Sequence, residues 1–334
     1  MPELPEVEVV RAGLAPAVTG ARVIGAEVRD PRALKRHLPL SGDGVPLSDG
    51  EGGHGATLSA AAGAARAADF ERRVTGLVLA EPQRRGKFMW IPVWAPPVER
   101  SGADFPPVER SGAESKPYAL LAHLGMSGQL LLRALDADDD RHVRIRLWIA
   151  HPRHGELRLD FADQRLFGSL AIDALVPAPG GGAIPSQSGH IARDPLDPLF
   201  DDAAFVGALR SRPAGVKKLL LDQTLLSGVG NIYADEALWR ARLHPETPGR
   251  AIGPRKAREL LQRLREVFAQ ALSEGGTSFD EQYVNVNGQA GYFAHSLNAY
   301  GRTGEPCPRC GTPLRRLVVG GRSSHFCPCC QRRR

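Results

Sequence analysis

Val7, Val10 and Leu14 recur at helical spacing, with Pro5 ahead of them and Pro16 behind. This predicts a short amphipathic helix after the first five residues, closed by Pro16. The pattern then alternates with a period of two in ARVIGAEVRD (21–30), VTGLVLAE (74–81), GKFMWIPVW (86–94), HVRIRLWIA (142–150) and GELRLDFAD (155–163). YALLAHLGMSGQLLL (118–132) reads as two strands around a glycine-bearing turn. Many short strands with turn residues between them predict a β-sandwich or barrel.

Two inserts interrupt this region. Residues 41–69 are rich in Gly, Ala and Asp, with little to bury, and PVERSGA occurs at 97–103 and again at 107–113. Such segments read as flexible loops at about 41–69 and 95–115, and no function is assigned to them. VPAPGGGAIPSQSGHIARDP, from Val176, reads as an interdomain linker.

After Pro195 the period becomes helical in DDAAFVGALRSR, PAGVKKLLLDQ, NIYADEALWRARL and PRKARELLQRLREVFAQALSEGG. Asn231 follows Gly228 and Gly230 as an N-cap would, and Pro213 suits a first helical turn. The glycine-rich QTLLSGVGN makes a compact double turn between two helices. The expected organisation is α+β and multidomain. An N-terminal β-sandwich with an N-terminal helix spans 1–175, a linker 176–194, a helix-two-turns-helix domain 195–299 and a β-hairpin zinc finger 300–334.

Charge adds a partner class. The 334 residues carry a formal net charge of +6. Arg309, Arg315, Arg316, Arg322, Arg332, Arg333 and Arg334 crowd the C-terminal end, which suits a polyanion. The acidic N-terminus lacks the pattern of a secretory peptide, and no apolar run approaches a membrane span. A soluble, intracellular, monomeric protein is expected.

All five cysteines lie from Cys307 onward. Cys307-x2-Cys310 and Cys327-x2-Cys330 can close a tetrahedral thiolate shell around one structural zinc, leaving no open position for catalysis. Cys329 offers an alternative to Cys330, though loop geometry favours Cys330. Zinc ribbons serve nucleic-acid and protein binding alike.

PELPEVE at the start, HLGMSG in the middle, GVGNIYADE and the terminal C-x2-C-x16-C-x2-C occur in that order from Pro2 to Cys330. Together they resemble bacterial formamidopyrimidine-DNA glycosylase. The resemblance implies excision of oxidised purines, 8-oxoguanine and formamidopyrimidines, from duplex DNA, followed by cleavage at the abasic site, in the bacterial cytoplasm at the nucleoid.

It also gives the opening residues a chemistry. Methionine before proline is normally removed, and an α-amino group has a pKa near 8, against about 10.4 for lysine. Pro2 then becomes a Schiff-base nucleophile and Glu3 the acid that protonates the sugar ring oxygen. The bland reading, prolines and glutamates that start a helix and favour its dipole, suits Glu6 and Glu8. By resemblance, Lys87 assists elimination near the damaged sugar, and Met126, Arg165 and Phe167 fill the gap left by the flipped base, Arg165 facing the orphaned cytosine. The family often carries a second arginine where this chain has Leu166. Arg212, Lys217, Asn231 and Tyr233 correspond to phosphate-contacting residues, Arg322 to a finger arginine that binds phosphates flanking the lesion and aids the second elimination. VNVNGQAGYF (284–293) corresponds to a loop over the damaged base.

Two other readings compete. A sister endonuclease of the same fold removes oxidised pyrimidines, but its start reads PEGPE, against Leu4 here. A non-catalytic zinc-ribbon DNA-binding module leaves PELPE without a purpose.

Overall fold

The computed structural model describes residues 2–40, 58–96, 117–277, 286 and 291–333. The chain divides into two compact units. Met1–Gly13, Arg84–Phe88 and His190–Arg334 form one, and Leu14–Gln83 with Met89–Gly189 form the other.

The N-terminal helix α1 covers Leu4–Val18 and buries Leu4, Val7, Val10, Leu14 and Val18. Pro16 lies inside it rather than closing it. In the last turn proline removes a single N–H donor, and Gly20, at φ 87°, stops the helix instead.

The β-rich unit is built from β1 (Arg22–Val28), β2 (Val78–Leu79), β4 (Phe88–Trp94, after β3 at Gln83–Arg85), β5 (Tyr118–His123), β6 (Gly128–Arg133), β7 (Val143–His151), β8 (Gly155–Asp163), β9 (Ser169–Pro177) and β10 (Ala183–Pro185). Their order is β10-β9-β5-β4-β2-β1-β7-β8-β6. The β7–β8 hairpin carries the alternation seen in its sequence: Ile145, Leu147, Ile149, Leu159 and Phe161 point inward and are buried.

The expected insert at 41–69 needs correction. Residues 41–57 lie outside the described residues, but Ala60–Val74 form a helix, α2, capped by the Ser59 hydroxyl, which accepts the Ala62 N–H at 3.2 Å. It buries Gly63, Arg66, Asp69, Phe70 and Val74. Arg66 donates to the Leu34 carbonyl at 3.2 Å, and Asp69 pairs with His37 at 3.1 Å. Up to residue 69 its buried face is glycine, arginine and aspartate, which carry no apolar signal, and this is why composition reads 41–69 as loop. Both copies of PVERSGA, at 97–103 and 107–113, lie outside the described residues. The expected linker from Val176 is partly strand, since β9 runs through Pro177 and β10 follows.

The helical unit contains α3 (Asp202–Arg210), α4 (Val216–Leu220), α5 (Asn231–Arg240) and α6 (Pro254–Ser273). On α6, Leu260, Leu261, Leu264, Val267, Phe268 and Ala271 form the buried stripe, and they pack with Leu4, Leu226, Tyr233 and Leu238 in one core. Pro213 precedes α4 rather than starting it, because α4 begins after Gly215. Gly230, not Asn231, is the N-cap of α5. The finger hairpin pairs β11 (Arg315–Val319) with β12 (Arg322–Phe326) across Gly320 and Gly321, both at positive φ, as a two-residue turn of this twist requires.

Candidate active site and nucleic-acid interface

In α5 every residue from Ile232 to Trp239 is buried, polar ones included. A helix with no solvent face must find partners for its polar groups inside the protein. Those partners assemble the site.

Glu3 lies at the helix N-terminus. Its Oε1 accepts the Ile232 N–H at 3.2 Å, while Oε2 is buried with no partner among the described residues. Glycine is required at Gly230, where a Cβ would stand 2.2 Å from the Glu3 Cδ. Leu4 explains its place in PELPE: its N–H donates to the Gly228 carbonyl at 3.0 Å, and its side chain fills the space a Cβ at Gly228 would need. Burial pushes the Glu3 carboxyl up to about 7, against the pull of the nearby Lys87 charge and with help from Glu6. Pro2, next to it, is buried.

Glu6 does more than favour the dipole of α1. Its Oε2 accepts the Glu3 N–H at 2.8 Å, which closes the first turn. Its Oε1 accepts from the Tyr233 hydroxyl, the Thr277 N–H at 2.9 Å and the Thr277 hydroxyl at 2.7 Å. The pattern of apolar residues gives no hint of this hub.

Lys87, half-buried, is held below the usual lysine range by burial, which outweighs the attraction of Glu3, with Arg322 adding repulsion. Arg322 is exposed at the start of β12. It lines a cavity of about 440 Å³ together with Arg212 and Lys218. Arg212 also pairs with Asp222 at 2.6 Å.

Two expected phosphate contacts change character. The Lys217 side chain is 0 % exposed; its ammonium donates to Asp235 Oδ1 at 2.6 Å and to the Ser323 carbonyl at 2.8 Å. Tyr233 is also 0 % exposed and its hydroxyl is engaged by Glu6. Neither side chain reaches solvent, so neither can grip a phosphate as folded here. Lys217 instead neutralises Asp235, which also accepts from the Ser324 hydroxyl at 3.0 Å and from the His325 N–H at 2.8 Å. That cluster pins β12 to α5. Asn231 lies half-buried at the first helical position. Glu236, the residue after Asp235, accepts the N–H groups of Asn298, Ala299 and Tyr300. Among the expected loop residues 284–293, only Val286 and 291–293 fall within the described residues.

In the finger, the sulfurs of Cys307, Cys310, Cys327 and Cys330 lie within 4.8 Å of one another. Tetrahedral zinc with Zn–S bonds of about 2.3 Å places its sulfurs roughly 3.8 Å apart, so the set fits one structural zinc ion. Cys329 is exposed and outside the set. The finger's own core is small, made of Ala299, Cys307, Leu314 and Cys327 with Trp239 of α5. The Trp239 indole N–H donates to Cys307 Sγ at 3.4 Å, and Arg309 stacks on its ring at 4.0 Å.

The β-rich unit presents the other expected group. Met126 and Phe167 are 42 % and 50 % exposed, and Arg165 is exposed beside Phe167. Their two turns are back to back, since a Cβ on Gly125 would stand 2.5 Å from the Gly168 nitrogen. Buried Asp163 ties them together. Its Oδ1 accepts the Ser127 hydroxyl at 2.5 Å and the Arg165 N–H at 3.1 Å, and its Oδ2 accepts the Gly168 N–H at 2.7 Å. Large apolar side chains held out into solvent by a buried polar clamp suit insertion into a partner rather than packing at home.

A buried, raised carboxyl beside an N-terminal proline, a cationic rim and a thiolate finger define a DNA-repair glycosylase. A family model described as "Formamidopyrimidine-DNA glycosylase N-terminal domain" matches residues 1–48 and 54–170. "Formamidopyrimidine-DNA glycosylase H2TH domain" matches 191–282, and "Zinc finger found in FPG and IleRS" matches 304–333. The chain belongs to the formamidopyrimidine-DNA glycosylase family. Formamidopyrimidine-DNA glycosylase of Leifsonia xyli subsp. xyli is 52% identical over 341 residues, which span 99% of this chain and 100% of the relative. That of Thermobifida fusca is 47% identical over 337 residues, 100% of this chain and 98% of the relative. Among solved structures, Lactococcus lactis Fpg with abasic-site DNA aligns at a TM-score of 0.72 and 27% identity, over 99% of this chain and 100% of that one. The same protein with oxidised-pyrimidine DNA aligns at 0.71 and 28%, over the same shares.

Proposed function

We propose that this chain is a bifunctional DNA glycosylase and abasic lyase that removes oxidised purines from duplex DNA and then cleaves the strand by successive β- and δ-elimination. The observation that carries this reading is the Glu3 carboxyl, 2 % exposed, raised to about 7 and with one oxygen unpartnered, next to Pro2. A carboxyl still protonated near neutral pH is what a general acid needs. With Met1 removed, the Pro2 nitrogen attacks C1′ and the base departs. Glu3 gives its proton to the ring oxygen, and the opened sugar is held as an iminium ion. Lys87, its pKa lowered by burial, is the candidate to take the C2′ proton in the first elimination. Arg322, on the exposed finger turn, meets the flanking phosphates, as do Arg212 and the N-terminus of α5 at Asn231. Met126, Arg165 and Phe167 enter the duplex from their clamped turns, and Arg165 faces the cytosine opposite.

The test uses the free amine. Protein with authentic Pro2 is expected to give a covalent DNA adduct on borohydride reduction with an abasic or 8-oxoguanine duplex. Protein with an N-terminal extension is expected to give none yet still retard the duplex on a gel, because an amide nitrogen cannot form an iminium ion. Robust trapping by the extended protein would move the nucleophile to a lysine, Lys87 first. Since the L. lactis protein has been captured on oxidised-pyrimidine DNA, direct competition between 8-oxoguanine and oxidised-pyrimidine duplexes decides the preference.

A further inference from the structure

The turn that carries Arg165 and Phe167 is unusual in its backbone. Leu166 has φ 56°, in the left-handed region that L-residues with a Cβ rarely occupy. Glycine would adopt it freely, and this chain has none there. Such a conformation persists only where the surroundings over-determine it. Asp163 fixes the residues on either side, through the N–H groups of Arg165 and Gly168, but makes no contact with the Leu166 peptide oxygen. That oxygen is taken by Lys35, whose ammonium donates to it at 2.6 Å across 131 residues of sequence.

Lys35 is itself placed with care. It ends a short 3-10 turn, Pro31–Leu34, whose N-cap Asp30 accepts the Arg32 N–H. The residue is only 7 % exposed, so its ammonium has given up most of its water. Burial lowers its pKa, with the Asp163 charge pulling the other way. A long flexible cation brought under an exposed turn stabilises the fold little by packing. It does direct a charge-assisted hydrogen bond at one carbonyl, the one whose direction the left-handed residue sets.

We propose that Lys35 is a positioning residue for reading of the opposite strand: by holding the Leu166 carbonyl it presets the Arg165–Phe167 turn in its left-handed conformation before DNA arrives. This rests on Arg165 being the reader of the orphaned base. Without the Lys35 hydrogen bond the turn relaxes, and Arg165 loses its fixed approach to the cytosine edge. The chemistry at Pro2 uses none of these groups.

The experiment measures 8-oxoguanine excision opposite each of the four bases, and borohydride trapping on a single-stranded abasic oligonucleotide, which has no opposite base. Full-length Lys35→Met, Lys35→Arg, Arg165→Ala and the double variant Lys35→Met with Leu166→Gly are compared with wild type, each checked for folding by thermal melting. Lys35→Met is expected to lose roughly tenfold in preference for cytosine, a fraction of what a good base contact supplies, while single-strand trapping stays at the wild-type level. Lys35→Arg is expected to retain the preference, since it keeps a cationic donor. Leu166→Gly is expected to restore part of it in the Lys35→Met background, because glycine enters the left-handed region without strain. Lys35→Ala, which lets water reach the carbonyl, is the second variant should Lys35→Met fail to fold. A folded Lys35→Met or Lys35→Ala with wild-type preference, alongside an Arg165→Ala that has lost it, overturns the assignment of Lys35 and leaves Arg165 as the reader. Preference intact in Arg165→Ala removes the reader itself.

Discussion

Replacing Glu3 with glutamine is expected to make the protein more stable and at the same time inactive in base excision, with a gain that depends on pH. The folded-state carboxyl is raised from 4.5 to about 7 by burial. A raised folded value means that the native state holds the proton more tightly than the unfolded chain. The stabilisation is therefore complete below about pH 4.5 and is lost as pH rises through about 7. At about 1.4 kcal/mol per pKa unit, the ionised carboxylate costs the fold about 3 kcal/mol at alkaline pH. Glutamine has the same shape, can still accept the Ile232 N–H and carries no charge, so it escapes this loss. For a domain of this size about 3 kcal/mol corresponds to roughly 6–12 °C in melting temperature. Thermal melts of wild type and Glu3→Gln from pH 5 to pH 8.5 are expected to diverge by most of that amount, the variant melting higher on the alkaline side. Excision of 8-oxoguanine by wild type is expected to fall as pH rises past about 7. The variant is expected to cleave a preformed abasic site far better than it excises a base. A stability difference that does not change between pH 5 and 8.5 would refute the claim that Glu3 is a buried group exchanging its proton near neutrality.

Three further outcomes follow from the same geometry. Asp235→Ala leaves the Lys217 ammonium buried and unpaired and is expected to cost about 3–5 kcal/mol in a denaturant titration; a loss below 1 kcal/mol would show that the cluster does not hold β12. Cys310→Ser is expected to lose zinc, to weaken duplex binding and to change Trp239 fluorescence through the lost Cys307 contact, while the far-ultraviolet circular dichroism of the remaining helices persists; unchanged duplex affinity would sever the finger from DNA binding. Gly230→Ala, whose added methyl meets the Glu3 carboxyl, is expected to abolish excision through displacement of Glu3, and wild-type kinetics in that variant would show that Glu3 is not fixed where it stands.

The elements legible in the sequence are those whose buried face is apolar. The β7–β8 hairpin follows its periodicity to within a residue at each end, and the long helix α6 to within three. Helix α2 is hidden because the buried face of its first ten residues is Gly63, Arg66 and Asp69, and the burial of Arg66 and Asp69 depends on the Leu34 carbonyl and His37, partners far away in sequence. Pro16 misled for a local reason: a proline stops a helix by removing a donor, and in the last turn there is little left to stop. The pairs of cysteines were legible because metal geometry dictates short spacing, and the four sulfurs stand where that spacing puts them.

The site divides along the same line. Motif spacing singles out Pro2, Glu3, Arg165 and Phe167 as candidates, but it is blind to what holds them. Glu6, Asp163, Asp235 and Glu236 are all buried carboxylates, and each gathers several donors, at least one of them distant in sequence. Such groups leave no periodic trace, since an acidic residue in a sequence reads as surface unless its partners are known. A buried carboxylate with every lone pair answered is also rigid: moving any one donor leaves charge unpaired in a poorly solvated place. Two of these four carboxylates lie on α5 and a third, Glu6, accepts from its Tyr233; together they tie the start of the chain, residue Thr277, the 298–300 segment and the finger hairpin to one ten-residue helix. Glu3 differs from these four, since one of its oxygens has no partner among the described residues. A fold that gives those four carboxylates several donors each and leaves Glu3 buried with its pKa raised to about 7 has placed an electrostatic cost at the position where a proton must be given away.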